Sequence, residues 1–219
     1  MKIHDPVKLH IHKLMEIIGP SCVPSESEVD NAVRAAIENK ETIAIREQKR
    51  KQPVFYGFKI KGDVEKLVEE AFKNNEDKNA FWNQLVRSGR ISTHAKGGWH
   101  ITTAHKGTMG MIYKKYTAMW KAGQIDDFLN AQSTTPVQIV LKEIVWDDKV
   151  MTIVIDQDES KLDTDIKYPH ITVSTVSADV PPATSNSLLK RIYDENDTTS
   201  VNRLAFPERT NVYGIFQAF

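Results

Sequence analysis

The sequence has very little cysteine and no long apolar run. Its 219 residues include one cysteine, Cys22, which excludes an internal disulfide and a zinc site built from several cysteines. Apolar stretches such as Val137 to Leu141 are far shorter than the ~20 residues needed to span a bilayer. Residues 1–6 also lack the basic start and apolar stretch of a secretory signal. These absences predict an intracellular protein without a membrane span, located in the nucleus or the cytoplasm.

Acidic residues are missing from one long part of the chain. The formal net charge is zero, but no Asp or Glu lies between residues 78 and 125, where lysine and arginine are frequent. From 143 to 165 the balance reverses, and carboxylates dominate. We interpret the first block as a candidate anion-binding surface. The alternative interpretation is that its lysines are spread over solvated helix faces.

The spacing of apolar residues predicts an α+β fold. Helices are predicted over about 5–18, from a capping box at Ser25 and Glu28 onward, and over about 64–72, 78–88, 110–122 and 184–194. Strands are predicted over 54–60, 99–105, 168–177 and 211–219, with 136–146 and 150–156 forming an antiparallel hairpin through Asp147 and Asp148. We expect residues 1–52 to form a helical N-terminal appendage or interdomain linker and residues 53–219 to form the main domain.

The tripeptide His-Ile-Thr occurs twice, as His100 to Thr102 and as His170 to Thr172. Each copy lies in a predicted strand that is followed by a predicted helix. Side chains two residues apart on a strand project to the same face, so each histidine and its threonine point together. One copy alone would be weak support for a site. Two copies in equivalent contexts indicate two similar half-domains that share one site.

These two motifs contain the groups needed to hydrolyse a phosphodiester without a metal. One imidazole must be neutral to take a proton from water, and the other must be protonated to give one to the departing ribose oxygen. An ordinary histidine pKa of about 6.5 makes both forms accessible near neutrality. Threonine hydroxyls can donate hydrogen bonds to the phosphoryl oxygens, where charge builds in the transition state. We therefore predict that the catalytic residues are His100, Thr102, His170 and Thr172.

Three further residues are predicted to bind the substrate. Lys106, six residues past His100, is expected on the same strand face, where it would stabilise negative charge. Trp99 and Tyr168 flank the motifs and could stack on a base, although aromatic residues beside strands are more often part of the core. His105 is expected on the opposite face of a regular strand from His100, in a structural role.

The segment Gly98 to His105, GWHITTAH, resembles the C-terminal cyclic phosphodiesterase domain of fungal tRNA ligases, within the two-histidine phosphoesterase superfamily. The resemblance covers roughly residues 53–219. It implies a bilobal fold of two pseudo-symmetric antiparallel sheets, flanked by helices, with one motif each facing a central cleft. It also implies the substrate, an RNA 2′,3′-cyclic phosphate end such as that of a tRNA exon half. During tRNA splicing this end is opened to a 3′-hydroxyl and a 2′-phosphate, with no cofactor and no metal.

In those ligases the module follows adenylyltransferase and kinase domains. The sequence contains no Gly-x-x-x-x-Gly-Lys-[Ser/Thr] phosphate loop. We therefore expect either an excised domain, whose partners are the adjoining kinase and ligase domains, or a stand-alone relative.

Other functions compete with this prediction. A zinc ion could be held by a nitrogen-rich set made of His94, His100, His105 and His170, which would leave the paired threonines without a role. The chain could also be an RNA-end binding module without turnover. A third alternative is a two-histidine phosphoesterase that acts on small cyclic nucleotides.

Overall fold

The computed structural model describes residues 26–49, 51–73, 75, 78–91, 98–207 and 210–219. The chain divides into two compact units, residues 1–51 and residues 52–219. The helix predicted over 5–18 and Cys22 lie outside the described residues. In the first unit, helix α1 (Glu26–Lys49) contains Glu28 of the predicted capping box, whose Ser25 lies outside the described residues, and Val29 and Val33 are half-buried positions on one stripe of it.

The second unit confirms the predicted α+β class. Its described helices are α2 (Val64–Lys73), α3 (Ala80–Arg87), α4 (Met111–Lys121), α5 (Ile125–Ser133), the single turn α6 (Gln157–Ser160) and α7 (Thr184–Tyr193). Its strands are β1 (Phe55–Lys61), β2 (His100–His105), β3 (Val137–Trp146), β4 (Val150–Ile155), β5 (His170–Thr175), β6 (Asn202–Ala205) and β7 (Asn211–Ala218). Among the described residues, the helices are too short or too polar to cross a bilayer.

The strands form one seven-stranded antiparallel sheet in the order β2-β1-β7-β3-β4-β5, with β6 also paired to β3. β3 pairs with β7 through residues 137–140 and with β4 and β6 through its later residues. Strand pairing is therefore continuous through β3, whereas the resemblance implied two separate sheets. β2 and β5 stand at opposite ends of this order, yet Cα atoms of the two strands come within 8 Å of each other. The sheet therefore curves until the two motif-bearing strands meet.

The β3–β4 hairpin is confirmed, and the side chain of Asp147 stabilises its turn. The Asp147 carboxylate accepts hydrogen bonds from the backbone N–H groups of Lys149, at 2.9 Å, and Val150, at 3.0 Å. A short acceptor that satisfies two turn donors is a common reason for aspartate at such positions.

The principal core lies between the sheet and helices α2 to α5. Buried residues alternate with half-buried or exposed ones along β7 and, from Phe58 onward, along β1, as expected for a sheet with one packed face. A smaller cluster lies on the other face, where Leu188, Leu189 and Ile192 of α7 pack on residues of β3 and β4. Within the described residues of the second unit, the sheet is thus covered on both faces near β4 and β5 and on one face near β1 and β7.

Candidate active site

Both His-Ile-Thr motifs lie on the same face of the sheet. Residues that are direct partners in an antiparallel pair share a face, so the face can be followed from strand to strand. His100 and Thr102 begin this path on β2, and His170 and Thr172 end it on β5. A bulge between Leu141 and Glu143 keeps Val140 and Glu143 of β3 on this one face. The positions between the motifs include Gly57, Lys59, Lys61, Tyr213, Ile215, Gln217, Gln138, Val140, Glu143, Val145, Val154 and Thr152.

Each motif strand contains a β-bulge directly after its threonine. The extra residue without a partner is Thr103 in β2 and Val173 in β5. A bulge reverses the alternation of side chains, so the sixth residue of each strand returns to the face of the histidine. That residue is His105 in β2 and Thr175 in β5. Because both strands have a bulge at the same position after the motif, the two motifs are similar in backbone structure as well as in sequence.

The bulge also overturns the faces expected for His105 and Lys106. His105 lies on the face of His100, with its ring centroid 6.5 Å from that of Phe55. Its Nδ1 accepts a hydrogen bond of 2.9 Å from the backbone N–H of Gly107. Lys106 lies in the turn that follows β2, and its N–H donates to the carbonyl of Val54. The prediction that Lys106 shares the face of His100 assumed regular alternation along the strand, and the bulge interrupts that alternation before Lys106.

Lys59 is the lysine that the register places beside His100. The two residues are direct partners across β1 and β2. The Lys59 side chain lies against Gly98 in the loop before β2. If residue 98 had a Cβ, the Cε and Nζ of Lys59 would lie 3.0 and 3.7 Å from it. The sequence analysis missed Lys59, because only the strand register shows that it faces the motif.

The two motif histidines are close enough for one to influence the protonation of the other. Burial is the largest cause that lowers the pKa of His170, and the charge of His100 lowers it further, against a hydrogen bond to Tyr168 that raises it. Burial also lowers the pKa of His100, against a hydrogen bond to the carbonyl of Gly98. The structure therefore brings the predicted pair together, and burial lowers the pKa of both rings.

Each imidazole is oriented through Nδ1 by a carbonyl two residues upstream. His170 Nδ1 lies 2.8 Å from the oxygen of Tyr168, and His100 Nδ1 lies 3.5 Å from the oxygen of Gly98. A carbonyl only accepts, so Nδ1 carries the hydrogen and Nε2 is left for the substrate. The His100 contact is at the limit of a hydrogen bond. Its ring is held as well by Phe55 and Phe219, with centroids at 5.1 and 5.4 Å.

The second motif receives support from residues that the sequence analysis did not single out. The Thr172 hydroxyl lies 2.9 Å from the hydroxyl of Ser185, a fully buried residue of α7. The Arg90 guanidinium donates to the hydroxyl of Thr175, at 3.1 Å, and to its carbonyl, at 3.4 Å. No sequence motif connects these pairs, because they are far apart along the chain.

Trp99 and Tyr168, the predicted stacking residues, are both engaged within the protein. Trp99 is 7% exposed and belongs to the principal core, so its ring does not reach the site. The Tyr168 hydroxyl donates to Asp194 at 2.6 Å, and its ring stacks on Tyr193 with centroids 5.1 Å apart. Tyr168 therefore contacts the site through its backbone carbonyl.

The zinc alternative has no cluster to support it in the described part of the chain. Within residues 26–49, 51–73, 75, 78–91, 98–207 and 210–219, no three His, Cys, Asp or Glu side chains are grouped so that they could hold a metal ion. His94, one member of the alternative set, lies outside those residues.

A family model described as the fungal tRNA ligase phosphodiesterase domain matches residues 38–218. The match includes both motifs and all seven strands of the sheet. A search of curated proteins found none that matches the chain.

Proposed function

Because the chain belongs to the fungal tRNA ligase phosphodiesterase domain family, we propose that it hydrolyses RNA 2′,3′-cyclic phosphate ends to a 3′-hydroxyl and a 2′-phosphate. The family membership makes it a phosphodiesterase domain associated with tRNA ligation. The proposal adds the substrate end, the regiochemistry and a metal-independent acid–base mechanism. It is supported chiefly by two imidazoles that come from distant parts of the chain and share one face of the sheet.

In the proposed mechanism His170 is the general base and His100 the general acid. His170 is the more buried ring, and its Nδ1–H donates to a carbonyl, so a neutral Nε2 is available to take a proton from water. The water oxygen attacks phosphorus, the bond from phosphorus to O3′ breaks, and His100 gives its proton to O3′. Hydrolysis therefore removes one proton from the attacking water on one side of the phosphorus and delivers one to O3′ on the other.

The threonines and one lysine stabilise the charge that builds on the phosphoryl oxygens. Thr102 and Thr172 share the face of the two histidines and donate hydrogen bonds to the non-bridging oxygens. Lys59 supplies the positive charge for which the sequence analysis selected Lys106, because Lys59 lies directly across from His100.

The wider organisation is part of the same proposal. Residues 53–219 form the catalytic module, with its two motif-bearing halves as pseudo-symmetric lobes around a cleft, and residues 1–52 form an appendage or linker. The matching bulges at Thr103 and Val173 support the pseudo-symmetry. The partners are tRNA exon halves and, in a longer protein, adjoining kinase and ligase domains in the nucleus or cytoplasm.

The test is an assay on an RNA oligonucleotide that ends in 2′,3′-cyclic phosphate, carried out with an excess of chelator. The wild-type protein should release a 2′-phosphate end, and His100→Ala or His170→Ala should lower turnover by about 10² to 10⁴-fold with little change in unfolding temperature. Activity that requires added metal would contradict the mechanism. Binding of the oligonucleotide without any product would show an RNA-end binding module instead.

A further inference from the structure

The face that holds His100 extends across β1, β7 and residues 137–140 of β3, a surface that we name the open half-face. Lys61, Tyr213 and Gln138 are consecutive partners on it. Tyr213 is 50% exposed, and Lys61 and Gln138 are exposed as well. Their neighbours Ile60, Val212 and Ile139 point to the opposite face and are buried in the principal core. The open half-face is therefore a continuous surface that begins at the candidate active site.

The charge of the open half-face has a single sign. Lys59 and Lys61 are its charged residues, and no Asp or Glu occupies any position that β1, β7 or residues 137–140 contribute to this face. Among the described residues, no carboxylate pairs with either lysine. A surface with two cations, amide side chains and an exposed aromatic ring has the groups that bind a single-stranded polyanion with stackable bases.

We propose that the RNA strand upstream of the cyclic phosphate lies across the open half-face, with Lys61 bound to a backbone phosphate and Tyr213 stacked on a base. This inference rests on the proposed function, since it takes the terminal phosphate to be held at His100 and His170. Tyr213 lies two strands and two residues away from His100, which is ~12 Å at the spacings of a β-sheet. It therefore contacts a nucleotide upstream of the terminal one, and Lys59 stays with the terminal phosphate.

Charge and polarity favour RNA over a protein partner on this surface. Lys61 and Gln138 flank Tyr213 across the sheet and are exposed, and Ile215, the apolar neighbour of Tyr213 on this face of β7, is half-buried. Protein interfaces instead gather apolar side chains at their centre and are depleted of lysine. An RNA strand whose end is held at His100 also reaches this surface directly, because the surface is continuous with β2.

The inference is tested by the double variant Lys61→Glu/Tyr213→Ala. Its matched control is Lys73→Glu/Val86→Ala, which makes the same kinds of change at exposed positions on α2 and α3, helices that pack against the opposite face. The first measurement is binding of a labelled single-stranded RNA that ends in a 3′-phosphate, which the protein cannot turn over. The second is the ratio of kcat/KM for a cyclic-phosphate oligonucleotide to kcat/KM for a 2′,3′-cyclic mononucleotide.

The double variant should weaken RNA binding at least about tenfold, lower the kcat/KM ratio by a similar factor and reduce the salt dependence of binding by about one ion per lost phosphate contact. The control should keep the wild-type affinity, ratio and salt dependence. Unchanged RNA affinity in the double variant would overturn the open half-face as the RNA surface, whatever the activity. If the double variant binds RNA more weakly and the wild-type protein hydrolyses neither substrate, the open half-face is supported as an RNA surface and the proposed function is contradicted. If the double variant unfolds, RNA binding and the kcat/KM ratio are measured on the single variants Lys61→Gln and Tyr213→Gln instead.

Discussion

The backbone N–H of Asp165 donates a hydrogen bond of 2.8 Å to the carbonyl oxygen of Thr103, the extra residue of the bulge in β2. The hydroxyl of Thr164 donates to the same oxygen at 2.9 Å. The bulge leaves this carbonyl outside the β1–β2 ladder, and the segment that leads to β5 satisfies it. The strand that holds His100 is thereby tied to the segment that precedes His170, which fixes the relative position of the two motifs.

Replacing Asp165 by alanine should destabilise the second unit. The Asp165 carboxylate accepts from the N–H groups of Ile112, at 3.1 Å, and Tyr113, at 2.9 Å, in the first turn of α4. Loss of a carboxylate that caps a helix in this way costs about 0.5–2 kcal/mol. Urea unfolding measures the change, with Asp148→Ala, an exposed aspartate of the β3–β4 turn, as the control. Equal unfolding free energies for the two variants would contradict the capping role.

The pH optimum of kcat/KM should lie below the ordinary histidine pKa of 6.5. Burial is the largest cause that lowers the pKa of both His100 and His170. A general base works when neutral, above its pKa, and a general acid works when protonated, below its pKa. Lowering both pKa values shifts the bell-shaped profile of kcat/KM toward lower pH, so activity should already fall between pH 7 and 8. A profile of kcat/KM with its maximum above pH 7 would contradict the assigned environment of the rings.

Replacing Phe55 by leucine should shift the alkaline limb of that profile upward. The Phe55 ring stacks on His100, with centroids 5.1 Å apart, and contributes to the burial that lowers the His100 pKa. Removal of the ring leaves His100 less covered by protein, so its pKa rises toward the ordinary value and the acid stays protonated at higher pH. The control is Phe81→Leu on α3, which should leave the profile where it is. An alkaline limb that does not move in Phe55→Leu would remove Phe55 from the environment of the acid.

Replacing Ser185 by alanine should lower kcat more than it changes KM. The Ser185 hydroxyl holds the Thr172 hydroxyl at 2.9 Å, and without it Thr172 loses its fixed orientation toward the phosphoryl group. One hydrogen bond contributes about 0.5–1.5 kcal/mol, so kcat should fall about two- to tenfold. The matched control is Ser174→Ala, a buried serine of β5 that bonds to the carbonyl of Thr175 instead. Equal kinetic losses in both variants would indicate a general packing defect.

Long periodic segments made most of the fold predictable from the sequence. Helices α2, α3, α4 and α7, strand β1 and the β3–β4 hairpin lie close to the predicted positions, because each has a regular apolar stripe and clear turn residues at its ends. The unpredicted elements are short or weakly patterned. α5 begins with two aspartates after a single buried isoleucine, α6 is one turn, and β6 has four residues of which Leu204 alone is buried.

The arrangement around the motifs could be predicted only in part. The repeated His-Ile-Thr tripeptide identified the four candidate catalytic residues, because spacing along a strand is a local property. The bulges at Thr103 and Val173 have no local signature, since neither residue is a glycine or a proline. His105, which follows the bulge in β2, was therefore assigned to the wrong face. Contacts such as Lys59 with His100 depend on register, which the sequence pattern did not specify.

The most direct test of the shared site compares His100→Ala, His170→Ala and the double variant on the cyclic-phosphate oligonucleotide. Two groups that act on one phosphorus in one step lose most of their joint contribution when either is removed. The double variant should therefore be about as slow as the slower single variant, far from the product of the two losses. Losses that multiply in kcat/KM would show that the imidazoles act independently, and they would contradict a common catalytic centre.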